Sequence, residues 1–455
     1  MSHAVIEPTH AAGAVESVPH ALLISHKLPW PADDGKKAVL AGFLAYLIQR
    51  FGSANVTYVV VGHAPAERPN LPCTTIWVPP PSRLDQVSNA LRCALGLSQG
   101  SLQEAVTYSP SLARSLRALC DERAPCLVLM DTIRIGQCLT GTAPDQHRVL
   151  YMDDLFHLRF ERMLAMAADG QRTFAAAGTF GRLLPGPARA LLEWPALRNA
   201  LYRFEAKRVR QRELDAPLHF DTCLLINPHE AELLRQNGRQ GRVAAVRPLL
   251  FPSASPLPRH YDGNAEYVLF GSLRHPLHRA SVLCFLDQVV PGLVAVMPDL
   301  RLRIVGEGAD DAVRAACARL GEAVELTGFV DDIAPLFARA CALLVPSLAG
   351  GGLRLKAVTA MHHGLPIITT GEGVHGIPLV DGQSMLLEDR IDLFAEPMRR
   401  LRDPALNQAV SLAALAVFEA EYGCEAVFIE YDQVFHPDVR FARVPAPAPC
   451  SGQVY

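Results

Sequence analysis

The sequence predicts an α/β protein built from two doubly wound halves that face each other across a central cleft. The chain has 455 residues, which exceeds what one hydrophobic core usually serves and points to two domains of about 200 residues each. Short apolar runs alternate with segments of helical periodicity, a pattern typical of parallel sheets covered by helices. A proline-rich stretch near 250–263 interrupts the alternation and divides the chain in two.

The predicted strands are short runs rich in β-branched and apolar residues. In the first half they lie at 20–25, 56–61, 126–130, 148–152 and 222–226, and apolar residues at helical spacing from Val39 to Ile48 predict a helix. In the second half they lie at 267–270, 300–305, 324–326, 342–345 and 366–369. Ligands of such sheets bind where the carboxyl ends of strands lead into helices, so we expect the functional residues in those loops.

These signals give the expected domain organisation. We expect a disordered N-terminus at 1–18 and a first domain at 19–250. A linker at 251–264, the later part of an interruption that starts at Val243, leads to a second domain at 265–404. A last helical stretch at 405–436 crosses back towards the first domain, and a flexible tail rich in Pro and small residues follows at 437–455.

Composition excludes several classes of function. A net charge of −3 gives no reason to expect a nucleic-acid partner. The 11 cysteines form no Cys-x-x-Cys pair, which argues against a zinc site or a disulfide framework. The N-terminus lacks the pattern of a signal peptide, and no run approaches the roughly 18–20 apolar residues that span a bilayer. We therefore expect a cytoplasmic protein with neither a metal nor a bound cofactor.

The segment 346–382 carries the strongest chemical signal. Three glycines, Gly350 to Gly352, follow a predicted strand and open a predicted helix that runs to His363, with Gly364 at its C-terminal cap. Backbone N–H groups and the helix dipole at such a start favour an anion. Arg354 and Lys356 add two positive charges one turn in, a combination suited to a diphosphate. The alternative is a tight turn that serves packing alone.

This segment resembles the donor-binding stretch of the family-four retaining glycosyltransferases. It is most similar to the subgroup that reads GGG-x-RLK-x-x-E-A-M-x-x-G-x-P, with matches that include Lys356, Met361, Gly364 and Pro366. Further likenesses occur, in the right order, at LLISHKLPWPADDGKK, YMDDLFHLRFER, INPHEAELL, VLFGSLRHP, LRLRIVGEG and VELTGFVDDI. The resemblance covers most of residues 20–435.

The resemblance implies a GT-B fold, with two Rossmann-like domains, a nucleotide-sugar donor, retention of the anomeric configuration and no metal. Cations and helix dipoles then stabilise the leaving diphosphate. Arg354 and Lys356 are the implied catalytic cations, and Asp154 is the candidate catalytic carboxylate on the acceptor side. The implied donor-binding residues are Gly35, Gly271, Arg274, Phe329, Val330, Gly350, Gly351, Gly352, Leu353 and Thr359.

The chain departs from the family pattern at three positions. Many members carry Glu-x7-Glu where this chain has Gly351 and Thr359, and a hydroxyl cannot replace the bidentate carboxylate that holds the ribose. Asp153 stands where the family often has His, and Asp154 follows it. A carboxylate here acts as a base, orients an acceptor hydroxyl, or caps the helix predicted from Leu155.

Two further features have alternative interpretations. Six histidines lie in or near the loops of interest, and for each the ordinary interpretation is a surface or hydrogen-bonded histidine: His26, His157, His275, His362, His363 and His375. His375, beside the predicted donor site, is the one that merits a test. The basic segment 180–213 is either a peripheral membrane contact that reaches a lipid-linked acceptor or a solvated helix face.

The sequence thus predicts transfer of a hexose-like sugar from a nucleoside diphosphate sugar to a glycan or lipid-linked acceptor in polysaccharide biosynthesis. The acceptor is expected near 34–37 and 153–157. Two alternatives remain: a non-catalytic subunit of the same fold that binds a partner enzyme or a glycan, and a sugar-nucleotide epimerase.

Overall fold

Two fully parallel sheets follow one another along the chain, each with apolar cores on both faces. The computed structural model describes residues 19–435 apart from 33, 67–68, 99, 142, 144, 169–193, 251–255 and 349–352. The segments 1–18 and 437–455, predicted to be loose ends, lie outside the described residues.

The first sheet has seven strands in the order β3-β2-β1-β4-β5-β6-β7. Its strands are β1 (Ala21–Ser25), β2 (Val56–Val61), β3 (Thr74–Val78), β4 (Leu127–Asp131), β5 (His147–Asp153), β6 (Thr222–Leu225) and β7 (Val243–Ala245). Its helices are α1 (Gly35–Phe51), α2 (Arg83–Ala94), α3 (Leu102–Thr107), α4 (Pro110–Arg123), α5 (Ile133–Gly136), α6 (Phe156–Ala168), α7 (Pro195–Asp215) and α8 (Pro228–Asn237). The central strands β1 and β4 are buried along their whole length, as expected when helices cover both faces.

The second sheet has six strands in the order β10-β9-β8-β11-β12-β13. Its strands are β8 (Glu266–Phe270), β9 (Arg301–Val305), β10 (Val324–Gly328), β11 (Ala342–Val345), β12 (Ile367–Thr369) and β13 (Leu386–Leu387). The helices that accompany it are α9 (Pro276–Gln288), α10 (Val290–Val296), α11 (Asp311–Leu320), α12 (Ala334–Arg339), α13 (Leu355–His362), α14 (Ala395–Arg400), α15 (Pro404–Tyr422) and α16 (Cys424–Phe435).

Three strands were not predicted from the sequence: β3, β7 and β13. All three lie at or next to a sheet edge, are short, and keep exposed or half-exposed residues, so they lack the continuous apolar run of a buried strand. The interpretation of the chain from Val243 onward as an interdomain connection was wrong at its start, because Val243–Ala245 pairs with β6.

The last helix packs against the first. α15 ends before Gly423, where a Cβ would lie 2.4 Å from the carbonyl oxygen of Glu419. α16 then returns to α1: Asp432 accepts hydrogen bonds from Tyr46 (2.7 Å) and from the Arg50 guanidinium (2.5 Å). The two halves are therefore joined both by the chain near 246–265 and by this helix.

A matched pair of glycine substitutions tests the close packing of α1. A Cβ at Gly42 would lie 1.9 Å from the Leu249 carbonyl oxygen, whereas at Gly292 in α10 nothing lies within 4 Å. Both glycines are helical, so alanine gains roughly 0.5–1 kcal/mol of intrinsic helix preference at either site. We expect Gly292→Ala to raise the free energy of unfolding and Gly42→Ala to lower it by about 1–3 kcal/mol, measured by urea denaturation. Equal effects would show that α1 does not pack so closely on the 246–250 segment.

Candidate active site

The candidate site lies where the carboxyl ends of both sheets approach each other. Gly35, at the start of α1, faces the second half: a Cβ there would lie 2.8 Å from Leu355, the first residue of α13. His229 of α8 packs edge-on against His375 with ring centroids 4.6 Å apart. These contacts place the loops that follow β1 and β6 against the loops that follow β11 and β12.

The helix of the glycine-rich motif starts later than predicted. Gly350, Gly351 and Gly352 lie outside the described residues, and α13 begins at Leu355 with Arg354 at its N-cap. Arg354 therefore precedes the helix instead of lying one turn in, while Lys356 lies in the first turn. At the other end Gly364 has a φ of 61°, a left-handed conformation that explains why glycine follows the helix.

Lys356 meets a histidine that the sequence did not single out. Its Nζ lies 3.0 Å from Nδ1 of His278, which is in the first turn of α9. Gly271, the first residue after β8, completes the contact, since a Cβ there would lie 3.2 Å from His278 Nε2 and 3.6 Å from Lys356 Nζ. The structure thus brings together two predicted residues, Gly271 and Lys356, and adds His278.

The electrostatics of this corner favour an anion. Burial, reinforced by the nearby Arg354 guanidinium, lowers the pKa of Lys356 to about 7. Burial likewise lowers the pKa of Arg354, with Arg162 and Arg159 adding to the effect. His275 and His278 also have lowered pKa values, through burial first and then the neighbouring cations, so both rings are neutral near pH 7. Charge of one sign crowds the cleft, and a bound anion would relieve it.

Part of this positive charge comes from the first half. Arg159 and Arg162 lie on α6 and oppose Arg354 across the cleft. We call Arg159, Arg162, Arg354 and Lys356 the cationic cluster. Asp154 partly compensates it, because its Oδ2 accepts a 2.5 Å hydrogen bond from Arg159.

A second group of polar side chains, which we call the Lys36 network, lies at the ends of three strands of the first sheet. Lys36, in the first turn of α1, pairs with Asp131 at the end of β4 (2.5 Å) and with Asp153 at the end of β5 (3.2 Å). Ser25 Oγ donates to Asp131 (2.6 Å) and Tyr151 Oη donates to Asp153 (2.9 Å). The Asp153 side chain is 25% exposed, whereas that of Asp131 is 5% exposed, so Asp153 is the solvent-facing end of the network.

Asp153 is held in an unusual state. Its φ is 71°, a left-handed conformation that costs energy for a residue with a side chain and is typical of functional sites. Burial acts to raise the pKa of its carboxyl, but the attraction of Lys36 and Arg159 outweighs it and lowers the pKa. Asp153 is therefore ionised at neutral pH.

The proposed helix-capping role of these aspartates is wrong. The amides of Leu155 and Phe156 donate instead to Glu230 (2.8 Å) and Glu213 (2.7 Å). Glu213 also pairs with His157 at 2.5 Å, and burial raises the pKa of Glu213 to about 7. Carboxylates at a helix N-terminus are stabilised by its exposed N–H groups, so these two glutamates fix the start of α6. Asp153 and Asp154 are therefore not needed to cap α6.

The remaining predicted donor residues occupy varied positions. Leu353 is buried and packs in the core that contains Leu343 and Val358. Arg274 is exposed and pairs with Glu307 at 2.9 Å, and Phe329 is exposed beside the half-buried Val330. The Thr359 hydroxyl donates to the Leu355 carbonyl oxygen of its own helix (3.0 Å), so only its lone pairs remain for a ribose.

The described part of the basic segment is not a simple solvated helix face. In α7, which covers 195–213 of it, Arg198, Glu205 and Glu213 are buried. Glu205 accepts from the amides of Leu102 and Gln103, and Arg212 pairs with Glu104. These long-range contacts could not be inferred from the local charge pattern. Residues 180–193 of the segment lie outside the described residues.

Within the described ranges no single helix is long and apolar enough to cross a bilayer; the bent pair α9 and α10 meets that test, and both helices contribute to an apolar core. In the same ranges no group of three or more His, Cys, Asp or Glu side chains is arranged to hold a metal ion.

Comparison with known proteins agrees with this architecture. The sucrose-phosphate synthase of Thermosynechococcus elongatus is 14% identical over 92% of this chain and 98% of its own, with a TM-score of 0.60. HepE of Anabaena, in complex with UDP and glucose, is 12% identical over 91% and 98%, with a TM-score of 0.56. WaaG, a glycosyltransferase involved in lipopolysaccharide biosynthesis, is 14% identical over 91% and 99%, with a TM-score of 0.54. These likenesses confirm the predicted GT-B fold.

Comparison by sequence finds matches to parts of the chain. An uncharacterised 44.6 kDa protein in the cps region of Klebsiella pneumoniae is 23% identical over 240 residues, which cover 50% of this chain and 59% of that protein. Residues 265–403, which contain the second sheet, α13 and Lys356, match the family model of glycosyl transferases group 1. The match to this family model is confined to the second half of a chain of GT-B fold.

Proposed function

We propose that the protein is a retaining, metal-independent glycosyltransferase that moves a hexose-like sugar from a nucleoside diphosphate sugar to a glycan or lipid-linked acceptor. The observation that carries the proposal is the cationic cluster beside Gly271, where Arg354 and Lys356 converge within a group 1 domain. The structure of HepE with UDP and glucose supports a nucleotide-sugar donor, and the roles of WaaG and of the cps region support polysaccharide biosynthesis.

Three members of the cluster, and Asp154 beside it, have roles in this proposal. Arg354 and Lys356 stabilise the charge that develops on the diphosphate as the glycosidic bond breaks, an effect that is strong where burial lowers the dielectric. Arg159 approaches the same site from the first half, so donor binding draws the two halves together. Asp154 acts through Arg159, which it holds at 2.5 Å.

On the acceptor side the geometry favours Asp153 over Asp154. Asp153 is ionised, partly exposed and fixed by Lys36 and Tyr151, so it can accept a hydrogen bond from the attacking hydroxyl. Asp154 is buried and already engaged by Arg159. We therefore assign the contact with the acceptor hydroxyl to Asp153 and the support of Arg159 to Asp154.

The test is a titration of the full chain with UDP, GDP and ADP, followed by product analysis with the sugar donors of whichever nucleotide binds. Binding, together with transfer of the sugar to a membrane or glycan fraction, supports the proposal. Product formed from the donor alone points to an epimerase. Absence of binding by all three at millimolar concentration favours the second candidate, a non-catalytic subunit. That candidate is motivated by Thr359, whose hydroxyl donates within its own helix where the family holds the ribose with a carboxylate.

The lowered pKa of Lys356 predicts how donor affinity depends on pH. With a pKa of about 7, Lys356 is only partly protonated at neutral pH in the protein without ligand. A bound diphosphate favours its charged ammonium form. Affinity is then constant below pH 7 and falls as pH rises above it, by at most about tenfold per unit. Calorimetry with a nucleotide sugar, whose diphosphate diester does not titrate in this range, measures the slope between about pH 6 and 8.5. Lys356→Met should remove the slope, and a flat profile in the unmodified protein would contradict the prediction.

A further inference from the structure

We propose that His278 is the positioning residue of the diphosphate site: its neutral imidazole holds the Lys356 ammonium against the Gly271 loop. In so far as Lys356 meets a diphosphate, the inference rests on the proposed function. Nothing in the sequence motif that contains Lys356 indicates this histidine, which lies 78 positions earlier in the chain.

The contact joins two helices of the second half at their N-termini. His278 lies in the first turn of α9 and Lys356 in the first turn of α13, and these helices follow the neighbouring strands β8 and β11. Their side chains meet at 3.0 Å between Nδ1 and Nζ. The carboxyl ends of these two strands are where a ligand of such a sheet is expected, so the contact lies at the binding edge.

The contacts of the ring fix its tautomer. An ammonium group has only donors, so Nδ1 of His278 must be the acceptor and the proton must lie on Nε2. Nε2 faces Gly271, whose backbone hydrogen-bonds the ring. The φ of Gly271 is 135°, and a Cβ there would lie 3.2 Å from Nε2, so glycine lets the backbone approach the histidine this closely.

The charged groups around the ring keep it neutral. Burial, as the largest effect, and then the cations Lys356 of α13 and Arg354 just before it hold the pKa of His278 well below 6.5, and the nearby ring of His275 acts in the same direction. A protonated ring could not accept from Lys356 and would repel it. The environment therefore preserves the acceptor throughout the physiological pH range.

The contact with His278 helps to keep the Lys356 ammonium charged and in place. A lysine is a point charge on four flexible carbons, and a buried one without a partner tends to lose its proton. The Nδ1 acceptor restrains the ammonium beside Gly271 without adding negative charge, so the positive potential that attracts a diphosphate is kept. A carboxylate in this position would pair with Lys356 and weaken that attraction.

The test compares His278→Leu with His278→Asn in the full chain. Asparagine can place its Oδ1 near the position of Nδ1 and keep the acceptor, whereas leucine removes it. We expect the leucine variant to bind UDP-glucose, or the sugar donor of whichever nucleotide binds, about 10- to 100-fold more weakly. The asparagine variant should stay within a few-fold of the unmodified protein. If His278 served stability alone, the loss of donor affinity in each variant would instead follow its loss of thermal stability.

A second measurement does not depend on nucleotide binding. The rate at which Lys356 is acetylated by acetic anhydride, followed against pH by mass spectrometry, reports its ionisation in the free protein. We expect a midpoint near pH 7 in the unmodified protein and a lower one in His278→Leu, because the ammonium loses its acceptor. His278→Ala replaces the leucine variant if that does not fold. The inference is overturned if Lys356 of the unmodified protein has the midpoint of an ordinary lysine, or if all variants give identical profiles. If the expected midpoints are found but no nucleotide binds, the proposed function is refuted and the role of His278 stands.

Discussion

Replacing Lys356 by alanine is expected to reduce sugar transfer by at least about 100-fold, the loss typical when one charged donor to the developing transition-state charge is removed from a water-excluded site. Lys356 is half-buried, lies in the first turn of α13 and is held at 3.0 Å by His278. The measurement is the ratio of kcat/KM values for the unmodified and variant proteins with the nucleotide sugar found by titration.

The control for this variant is Lys207→Ala, which removes an exposed lysine of α7. It should leave kcat/KM unchanged within about twofold, and both variants should unfold at similar temperatures because neither residue fills a core. Undiminished turnover of Lys356→Ala with every nucleotide sugar would remove Lys356 from the reaction and with it the assignment of the donor site.

Replacing Lys36 by methionine is expected to lower the free energy of unfolding by about 3–5 kcal/mol, because it leaves Asp131 and Asp153 close together in a buried site without their shared cation. The ammonium also lies 4.3 Å from the centre of the Tyr151 ring, a contact that methionine only partly retains. Urea denaturation followed by circular dichroism measures the loss. Lys27→Met is the matched control, since Lys27 and Asp34 form an exposed pair of the kind worth less than about 1 kcal/mol.

The pH dependence of this loss identifies its cause. In the unmodified protein the pKa of Asp153 is lowered, so its contribution to stability is present above the ordinary carboxyl pKa and disappears as pH falls through the lowered value. In Lys36→Met no shared cation offsets the repulsion between the two carboxylates, so the destabilisation should be largest near neutral pH and shrink in mild acid. A deficit that does not change with pH would indicate lost packing instead of an uncompensated charge.

Much of the proposed donor side follows from local sequence, because it depends on signals within one short segment. The strand Ala342–Val345, the helix after it and the left-handed Gly364 all fall within 23 residues, and each has its own local cause. The same is true of α1 and the buried strands β1, β2 and β4, whose apolar runs are continuous. The start of α13 was misplaced because helix ends depend on capping contacts that composition does not specify.

The side of the cleft that we assign to the acceptor was harder to predict, for a physical reason. The choice between Asp153 and Asp154 depends on Lys36 and on Glu213, which approach from 117 positions before Asp153 and 57 positions after Phe156. Neither partner is indicated by the residues around the aspartates. Strands β3 and β7 were missed for a related reason, since edge strands are half exposed and take their conformation from the neighbour they pair with.

By itself the sequence determined the α/β class, the division into two halves and the two neighbouring cations Arg354 and Lys356, because hydrophobic periodicity and residue chemistry are local properties of the chain. Tertiary structure alone decided which groups meet: His278 with Lys356, Lys36 with both aspartates, and Arg159 opposite Arg354. The physical reason is that parallel strands distant in sequence bring their carboxyl ends to one edge of a sheet, and only the order of the strands fixes which loops become neighbours there.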